Sequence, residues 1–190
     1  GLLAQRVDYG VVHSFRMQRL ARAAEAFFGA PRDSDSHVQF NDFCARHAGW
    51  LDDFSLFMAL SEAQQHRQWC DWPAPLAARE AQALTQARET HAQRIGFWKF
   101  GQWCFFRQWL KLKAYANQRG VEIIGDVPIF IAHHSAEVWA NPQLFELDAQ
   151  GRSTVVAGVP PDFFSATGQR WGNPLYRWKV HARDGYAWWV

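Results

Sequence analysis

One carboxylate of the sequence stands where it could take part in catalysis or substrate binding. Asp126 comes just after the apolar, branched run Val121–Ile124, and Gly125 and Pro128 flank it. In a parallel α/β barrel the carboxyl ends of the strands line the active site, so a carboxylate here would face substrate or another catalytic group. It could equally satisfy loop amides or a neighbouring arginine, and its position alone does not decide between these interpretations.

A second candidate is the run 155–176, which mixes prolines and glycines with aromatic and hydrogen-bonding residues. Sugar rings stack their C–H faces on aromatic side chains, while their hydroxyls need directional partners. In this run Asp162, Ser165, Gln169 and Asn173 could be those partners. The alternative is a structural Ω-type loop that packs its own aromatic residues.

Other chemistries find less support. The adjacent pair His133-His134 lacks a further His or Cys at metal-ligand spacing, and neighbouring side chains of an extended segment point to opposite sides, so we expect ordinary histidines and no metal. The sequence has neither a Gly-x-Ser-x-Gly elbow nor a phosphate-binding loop. A retaining glycosidase needs two carboxyl groups about 5–5.5 Å apart, and sequence alone does not identify such a pair.

The elements that must position these residues are helical in the first half. Apolar spacing predicts amphipathic helices, with a stop at Gly29-Ala30-Pro31 and a break at Trp72-Pro73. The predicted helices run through 17–28, 40–47, 51–58 and, as one longer helix, 84–95.

A helix, a glycine turn and a strand follow. Phe97–Leu110 carries aromatic residues on more than one face, which predicts a helix buried in a core. Gly120 is expected to end this helix in a left-handed turn, and Val121–Ile124 is expected to be a buried strand. Residues 135–176 are then predicted to be a long ordered loop, a type that is usually functional.

Charge, hydropathy and cysteine usage indicate which partners and which compartment to expect. The net charge is +2 and no run is densely basic, so a nucleic acid partner is not expected. No apolar stretch has the length of a membrane span, so no membrane partner is expected either. Three isolated cysteines, Cys44, Cys70 and Cys104, suit buried free thiols in a reducing compartment, which predicts a cytoplasmic protein. The chain begins with Gly1 and ends on an apolar run, and we interpret it as a slice of a longer protein.

Several stretches of the sequence carry a family resemblance. The longest runs from Ile123 through Gly125-Asp126 to Pro142 and continues in the run 158–176. Earlier matches stand at Asp8-Tyr9-Gly10, at 50–60 and at 105–109. Together these stretches are spread over nearly the whole chain and resemble the amylomaltases, also called disproportionating enzymes, which are 4-α-glucanotransferases.

The resemblance implies an α/β fold, a partial (β/α)8 TIM barrel with a mainly helical insertion and a long substrate-covering loop. On that basis residues 1–94 form the helical insertion region, and 95–134 hold a barrel helix and the third barrel strand. Residues 135–190 form the active-site loop insertion that leads toward the next strand. Family members pass α-1,4-glucan segments between maltodextrins through a covalent intermediate with retention, and no cofactor is expected.

The resemblance also assigns roles. It implies that α-1,4-glucans and maltooligosaccharides are the partners. It also implies that the nucleophile and the acid/base lie beyond the chain end, so no catalytic residue is assigned. Asp126 is expected to support catalysis without being the nucleophile or the acid/base. The implied substrate-binding residues are Asp126, Asp162, Phe163, Phe164, Ser165, Gln169, Trp171 and Asn173.

Departures from the family pattern leave some roles open. Phe163 stands where a tyrosine is expected, so a hydroxyl contact is lost while stacking is kept. His134 and Lys179 each stand where aspartate is common, and both are interpreted as surface variation.

Two alternative functions remain open: a non-catalytic glucan-binding or interaction domain on the same scaffold, and a hydrolase on the same fold.

Overall fold

The computed structural model describes residues 6–190 of the chain. These residues contain eight α-helices and one two-stranded antiparallel sheet. Short 3₁₀ turns lie at Trp69–Asp71 and Pro142–Leu144. The helices are α1 (Tyr9–Gly29), α2 (Asp35–Arg46), α3 (Ala48–Ala63), α4 (Ala74–Ala77), α5 (Ala81–Thr90), α6 (Ala92–Asn117), α7 (Ala136–Ala140) and α8 (Trp178–Arg183), and the strands are β1 (Val156–Val159) and β2 (Gln169–Pro174).

Capping residues set where the first helices begin. The Asp8 carboxylate accepts a hydrogen bond from the Val11 amide at 3.1 Å, which starts α1 well before the predicted residue 17. The helices predicted through 17–28, 40–47 and 51–58 are confirmed. The single helix predicted over 84–95 is wrong, because the backbone leaves helical geometry at His91 (φ −106°, ψ 17°) and α6 starts afresh at Ala92.

The chain divides into two compact units, each built from two stretches of sequence. The first unit contains the described residues up to Ser55 together with Gln93–Ile123, and the second contains Leu56–Ala92 together with Ile124–Val190. Among residues 6–190, no helix combines the length and the apolar character that crossing a bilayer requires.

An aromatic cluster forms the core of the first unit. Phe40, Phe100 and Trp103 are buried, and the Phe27 ring lies 5.0 Å from Phe100 and 5.2 Å from Trp103. The prediction of a core helix at 97–110 holds for one face only, because Phe105 on the other face is 58 % exposed.

Tryptophans organise the second unit. The Trp139 ring is fully buried against Phe57 and Trp72, with centroids 5.8 Å away in both cases. Its indole nitrogen donates to the carbonyl oxygen of Leu76 at 3.0 Å, and the guanidinium of Arg79 lies over its ring at 4.2 Å. This core holds the segments that carry the candidate site.

The strand predicted at Val121–Ile124 is not part of a sheet in the described structure. Gly120 does adopt the expected left-handed conformation, at φ 72°. The residues after it pair with no strand, and Ile124 is 92 % exposed instead of buried. A strand needs a neighbour to satisfy its backbone groups, and the sheet of residues 6–190 is confined to β1 and β2.

Candidate functional site

A β-hairpin presents most of the predicted site residues. β1 and β2 pair antiparallel, with Gly158 opposite Arg170 and Val159 opposite Gln169, and residues 160–168 connect them. A Cβ at Gly158 would lie 2.6 Å from the Gln169 carbonyl oxygen. The two strands can therefore approach this closely only because Gly158 has no side chain. The predicted long loop thus contains a short sheet.

A bulge in β2 turns one tryptophan outward. Between the pairs Val156–Pro174 and Gly158–Arg170 the register advances two residues on β1 and four on β2. Gly172 lies in this bulge at φ 83°, a conformation that favours glycine. Trp171 beside it is 49 % exposed.

Hydrogen bonds fix the shape of the hairpin tip, the connection formed by residues 160–168. The Asp162 carboxylate oxygen Oδ1 accepts from the amides of Phe164 at 2.9 Å and Ser165 at 2.8 Å. The Ser165 hydroxyl donates to the Gly168 carbonyl oxygen at 2.8 Å. Asp162 and Ser165, both expected to bind sugar hydroxyls, therefore use part of their hydrogen-bonding capacity within the loop itself.

Two phenylalanines project from the tip that these bonds hold. Phe163 is 97 % exposed and Phe164 is 88 % exposed, and their rings meet edge to face at 5.5 Å. Exposed aromatic rings on a hydrogen-bonded loop are typical of a binding surface, because exposing them to water is unfavourable. The faces of both rings are available to a ligand.

The remaining amide side chains of the predicted site are also engaged. Gln169 accepts a hydrogen bond through its Oε1 from the Trp171 indole at 3.1 Å. Asn173 donates through its Nδ2 to the carbonyl oxygen of Ile131 at 2.9 Å. Each retains further hydrogen-bonding capacity, since an amide side chain carries two donors and two acceptor lone pairs.

Asp126 lies on the segment 126–131, whose end Asn173 holds through the Ile131 carbonyl oxygen. Its side chain is exposed, and within the described residues it forms no hydrogen bond to the other seven predicted site residues. The hairpin residues are thus brought together by the fold. Asp126 is linked to them through the backbone of this segment, which contacts Asn173 at Ile131 and Trp171 at Phe130.

Tyr176 was not singled out from the sequence, yet it contacts the same segment. Its hydroxyl donates to the Ile129 carbonyl oxygen at 2.9 Å, and its ring stacks on Phe130 with centroids 6.2 Å apart. Burial raises the pKa of the Tyr176 hydroxyl, so it remains a protonated donor near neutral pH. A tyrosine at the end of an aromatic run carries no sequence signal for this role.

An apolar cleft of about 480 Å³ opens beside Tyr176. Two of the tryptophans that line it, Trp178 and Trp189, stack with ring centroids 5.7 Å apart. Its lining residues are Ile129, Phe130, Tyr176, Trp178, Tyr186 and Trp189.

The two adjacent histidines both bond to the protein. His133 Nε2 donates to the Gly151 carbonyl oxygen at 2.7 Å. His134 Nδ1 accepts from the Trp69 amide at 3.1 Å, and its Nε2 lies 3.1 Å from the Ser61 hydroxyl. Because Nδ1 accepts, the neutral ring carries its proton on Nε2. His134 is therefore a half-buried anchor, and its interpretation as surface variation is wrong.

Desolvation by burial lowers the pKa of His134, and nearby His133 and His66 lower it further. The bond from the Trp69 amide acts in the same direction, because a proton on Nδ1 would displace it. Lys179, the other departure interpreted as surface variation, is exposed as expected.

Most acidic side chains of the second unit have structural partners. Glu137 accepts from the Trp188 indole at 3.0 Å, and Glu146 pairs with Arg177 at 3.5 Å. Asp148 accepts at 2.9 Å from two amides of its own turn. These carboxylates hold the fold, and none of them is paired with another as retaining glycoside chemistry would require.

All three cysteines are free thiols, and each is half-buried where full burial was expected. Burial raises the pKa of Cys44, Cys70 and Cys104, so these thiols are poor nucleophiles at neutral pH. Among residues 6–190, no group of His, Cys, Asp and Glu side chains has the arrangement of a metal site.

Comparison with known proteins identifies close relatives. A family model described as 4-alpha-glucanotransferase matches residues 2–190. The 4-alpha-glucanotransferase of Thermus thermophilus is 50% identical over 187 residues, which cover 97% of this chain and 37% of that protein. The chloroplastic/amyloplastic 4-alpha-glucanotransferase of Solanum tuberosum is 36% identical over 189 residues, which cover 100% of this chain and 33% of that protein.

Among solved structures, an amylomaltase from Streptococcus agalactiae in complex with acarbose matches with a TM-score of 0.91 and 35% sequence identity. The match covers 100% of this chain and 38% of the amylomaltase. The chain thus spans between 33% and 38% of the length of these three proteins.

Proposed function

The chain belongs to the 4-alpha-glucanotransferase family, and from this premise we propose that its parent protein transfers α-1,4-glucan segments between maltodextrins. The reaction breaks a glucosidic bond, holds the glucan on the enzyme as a covalent intermediate and passes it to a sugar hydroxyl with retention. The family match over residues 2–190 is the observation that carries this proposal.

The nucleophile and the acid/base belong, in this proposal, to the part of the parent protein that this chain does not span. Two observations support that assignment. The chain spans 37% of the Thermus thermophilus relative. Its carboxylates Glu137, Glu146, Asp148 and Asp162 bond to partners within the second unit, which leaves them poorly suited to attack a sugar.

The residues described here would supply part of the glucan-binding surface. Phe163 and Phe164 would stack on glucose rings, because their exposed faces are held by the hydrogen-bonded tip. Trp171 would add a further aromatic face, and the unused polar groups of Gln169 and Asn173 would reach hydroxyls. An aromatic groove that excludes water favours transfer over hydrolysis.

The fold of the parent is proposed to be a (β/α)8 barrel, in which Val121–Ile124 form the third strand, Gly125-Asp126 end it and α6 precedes it. The support is the pattern of exposure: Ile124, Val127 and Ile129 are 92 %, 74 % and 67 % exposed. Branched apolar residues at such exposure require burial against neighbouring strands. In that barrel Asp126 would stand at a strand end that faces substrate. We assign the parent protein to the cytoplasm, where reducing conditions would keep its three free cysteines unpaired.

Incubation of the parent protein with maltotriose tests the function. Disproportionation predicts glucose together with maltodextrins longer than the substrate. A glucan-binding domain would bind maltooligosaccharides without forming products, and a hydrolase would yield shorter sugars only. The isolated 190-residue chain is expected to form no product, and activity in it would contradict the assignment of the nucleophile to the remainder.

A further inference from the structure

The segment 126–131 is attached at two points to the end of β2 and the residues just after it. The carbonyl oxygens of Ile129 and Ile131 each accept a side-chain hydrogen bond at 2.9 Å, from Tyr176 and Asn173 respectively. The two donors therefore hold the backbone on both sides of Phe130, where the chain bends.

Aromatic packing reinforces the attachment. Phe130, between the two carbonyls, stacks on the Tyr176 ring at an interplanar angle of 12° and meets Trp171 edge to face at 6.0 Å. The Tyr176 ring itself is only 4 % exposed. A buried ring has little freedom to move, so its hydroxyl fixes the Ile129 carbonyl in one place.

This attachment links two parts of the proposed site that are far apart in sequence. Asp126 lies three residues before Ile129, while Asn173 is the penultimate residue of β2, the strand that leads back from the aromatic tip. A change at either hydrogen bond would alter where the Asp126 carboxylate stands relative to the hairpin.

We propose that Asn173 and Tyr176 are positioning residues, which hold the segment 126–131 in register with the hairpin so that Asp126 and the aromatic tip act on the same glucan. This inference rests on the proposed function. It gives Asn173 a backbone-holding role beside its proposed contact with sugar, and it adds Tyr176, which no sequence motif indicated.

The test uses the complete parent protein with the variants Tyr176→Phe and Asn173→Asp, each of which removes one donor at nearly constant size. Tyr186→Phe is the matched control, because Tyr186 lines the same cleft and its hydroxyl bonds neither carbonyl. Hydrogen exchange of the peptide 126–134 is measured first. Exchange about fivefold faster or more is expected in Tyr176→Phe and Asn173→Asp, with no change in Tyr186→Phe. Unchanged exchange in both would overturn the inference.

Kinetics then test the link to Asp126. With maltotriose, Tyr176→Phe is expected to lower kcat/KM about tenfold, and to cause little further loss in an Asp126→Asn background. Full additivity of the two losses would overturn the positioning role. A wild-type parent without disproportionating activity would refute the proposed function, and the exchange experiment would still decide whether the two donors hold the segment.

Discussion

The Asp162 carboxylate accepts a hydrogen bond from the amide of Ser165 at 2.8 Å, so a residue that the sequence predicted as a sugar ligand also holds the hairpin tip. The same oxygen accepts from the Phe164 amide at 2.9 Å. Between these two bonds the chain turns, and the rings of Phe163 and Phe164 are directed into solvent. The relationship predicts how substitutions at Asp162 will behave.

Asp162→Ala should raise KM for maltotriose in the parent protein by about fivefold, the effect of losing about 1 kcal/mol when the tip amides lose their acceptor. Asp162→Asn keeps an acceptor oxygen and should remain close to wild type. Steady-state kinetics of both variants decide the point. Equal damage by Asn and Ala would mean that the charged carboxylate contacts sugar directly.

Removing either exposed ring should weaken glucan binding. Phe163→Ala and Phe164→Ala are each expected to raise the Kd for maltoheptaose by about twofold to twelvefold, since a stacked ring contributes about 0.5–1.5 kcal/mol. Phe163→Tyr keeps the ring and should bind at least as well as wild type. Binding of maltoheptaose by calorimetry measures the effect, and wild-type affinity in both alanine variants would exclude the tip from the binding surface.

The parent protein should lose stability through His134 as the pH falls. The lowered folded-state pKa means that, between this pKa and the ordinary value of 6.5, the unfolded chain binds more protons than the folded one. The contribution is therefore complete above 6.5 and is lost as the pH drops through the folded pKa.

Melting temperatures from pH 7.5 to 5.0 test this, at about half-unit intervals. His134→Asn retains an acceptor for the Trp69 amide and does not titrate, so its melting temperature should fall less steeply than that of the wild type. His13→Asn, at an exposed site on α1, serves as the control and should follow the wild-type slope. Parallel slopes for wild type and His134→Asn would contradict the assignment.

Gly151 should not tolerate a side chain. Its φ is 78°, and an added Cβ would collide with the Trp69 indole. Gly151→Ala is expected to lower the free energy of unfolding by about 2 kcal/mol or more. At Gly49 nothing lies within 4 Å of an added Cβ, so Gly49→Ala should be neutral or stabilising by up to about 1 kcal/mol. Denaturant melts of the two variants compare these effects, and equal stabilities would contradict the predicted contact.

Residues 1–190 expressed alone should be poorly ordered. Ile124, Val127 and Ile129 are 92 %, 74 % and 67 % exposed in the described structure, which leaves three branched apolar side chains of one short segment in water. The expected signs are strong binding of a hydrophobic dye and weak near-UV circular dichroism. A sharp cooperative thermal transition in the isolated chain would contradict this expectation.

Local structure was largely predictable from sequence, because it depends on neighbouring residues. The three-and-four spacing of apolar residues predicted α1, and the lack of a side chain at Gly120 predicted its left-handed turn. Pairing was not predictable at Val121–Ile124, since a strand also depends on residues distant in sequence. The break at His91 likewise left no clear mark on the apolar pattern.

The candidate site was likewise predictable in part. The family resemblance predicted its aromatic residues Phe163, Phe164 and Trp171, whereas composition alone left a structural loop as the alternative. The roles of Asp162 and Asn173 could not be predicted, since a side chain's hydrogen-bonding capacity does not reveal which partner the fold supplies. The partner of Asn173 lies 42 residues away at Ile131, and only the folded chain brings them together.

The most direct test of the central proposal is a transfer assay with the complete parent protein, maltotriose as donor and isotope-labelled glucose as acceptor. Label is expected to enter maltose and longer maltodextrins, and Phe163→Ala and Phe164→Ala are expected to slow this incorporation. If the unlabelled sugars shorten while the label stays in glucose, the protein is a hydrolase. If no product forms at all, the assignment of this chain to an active glucanotransferase is wrong.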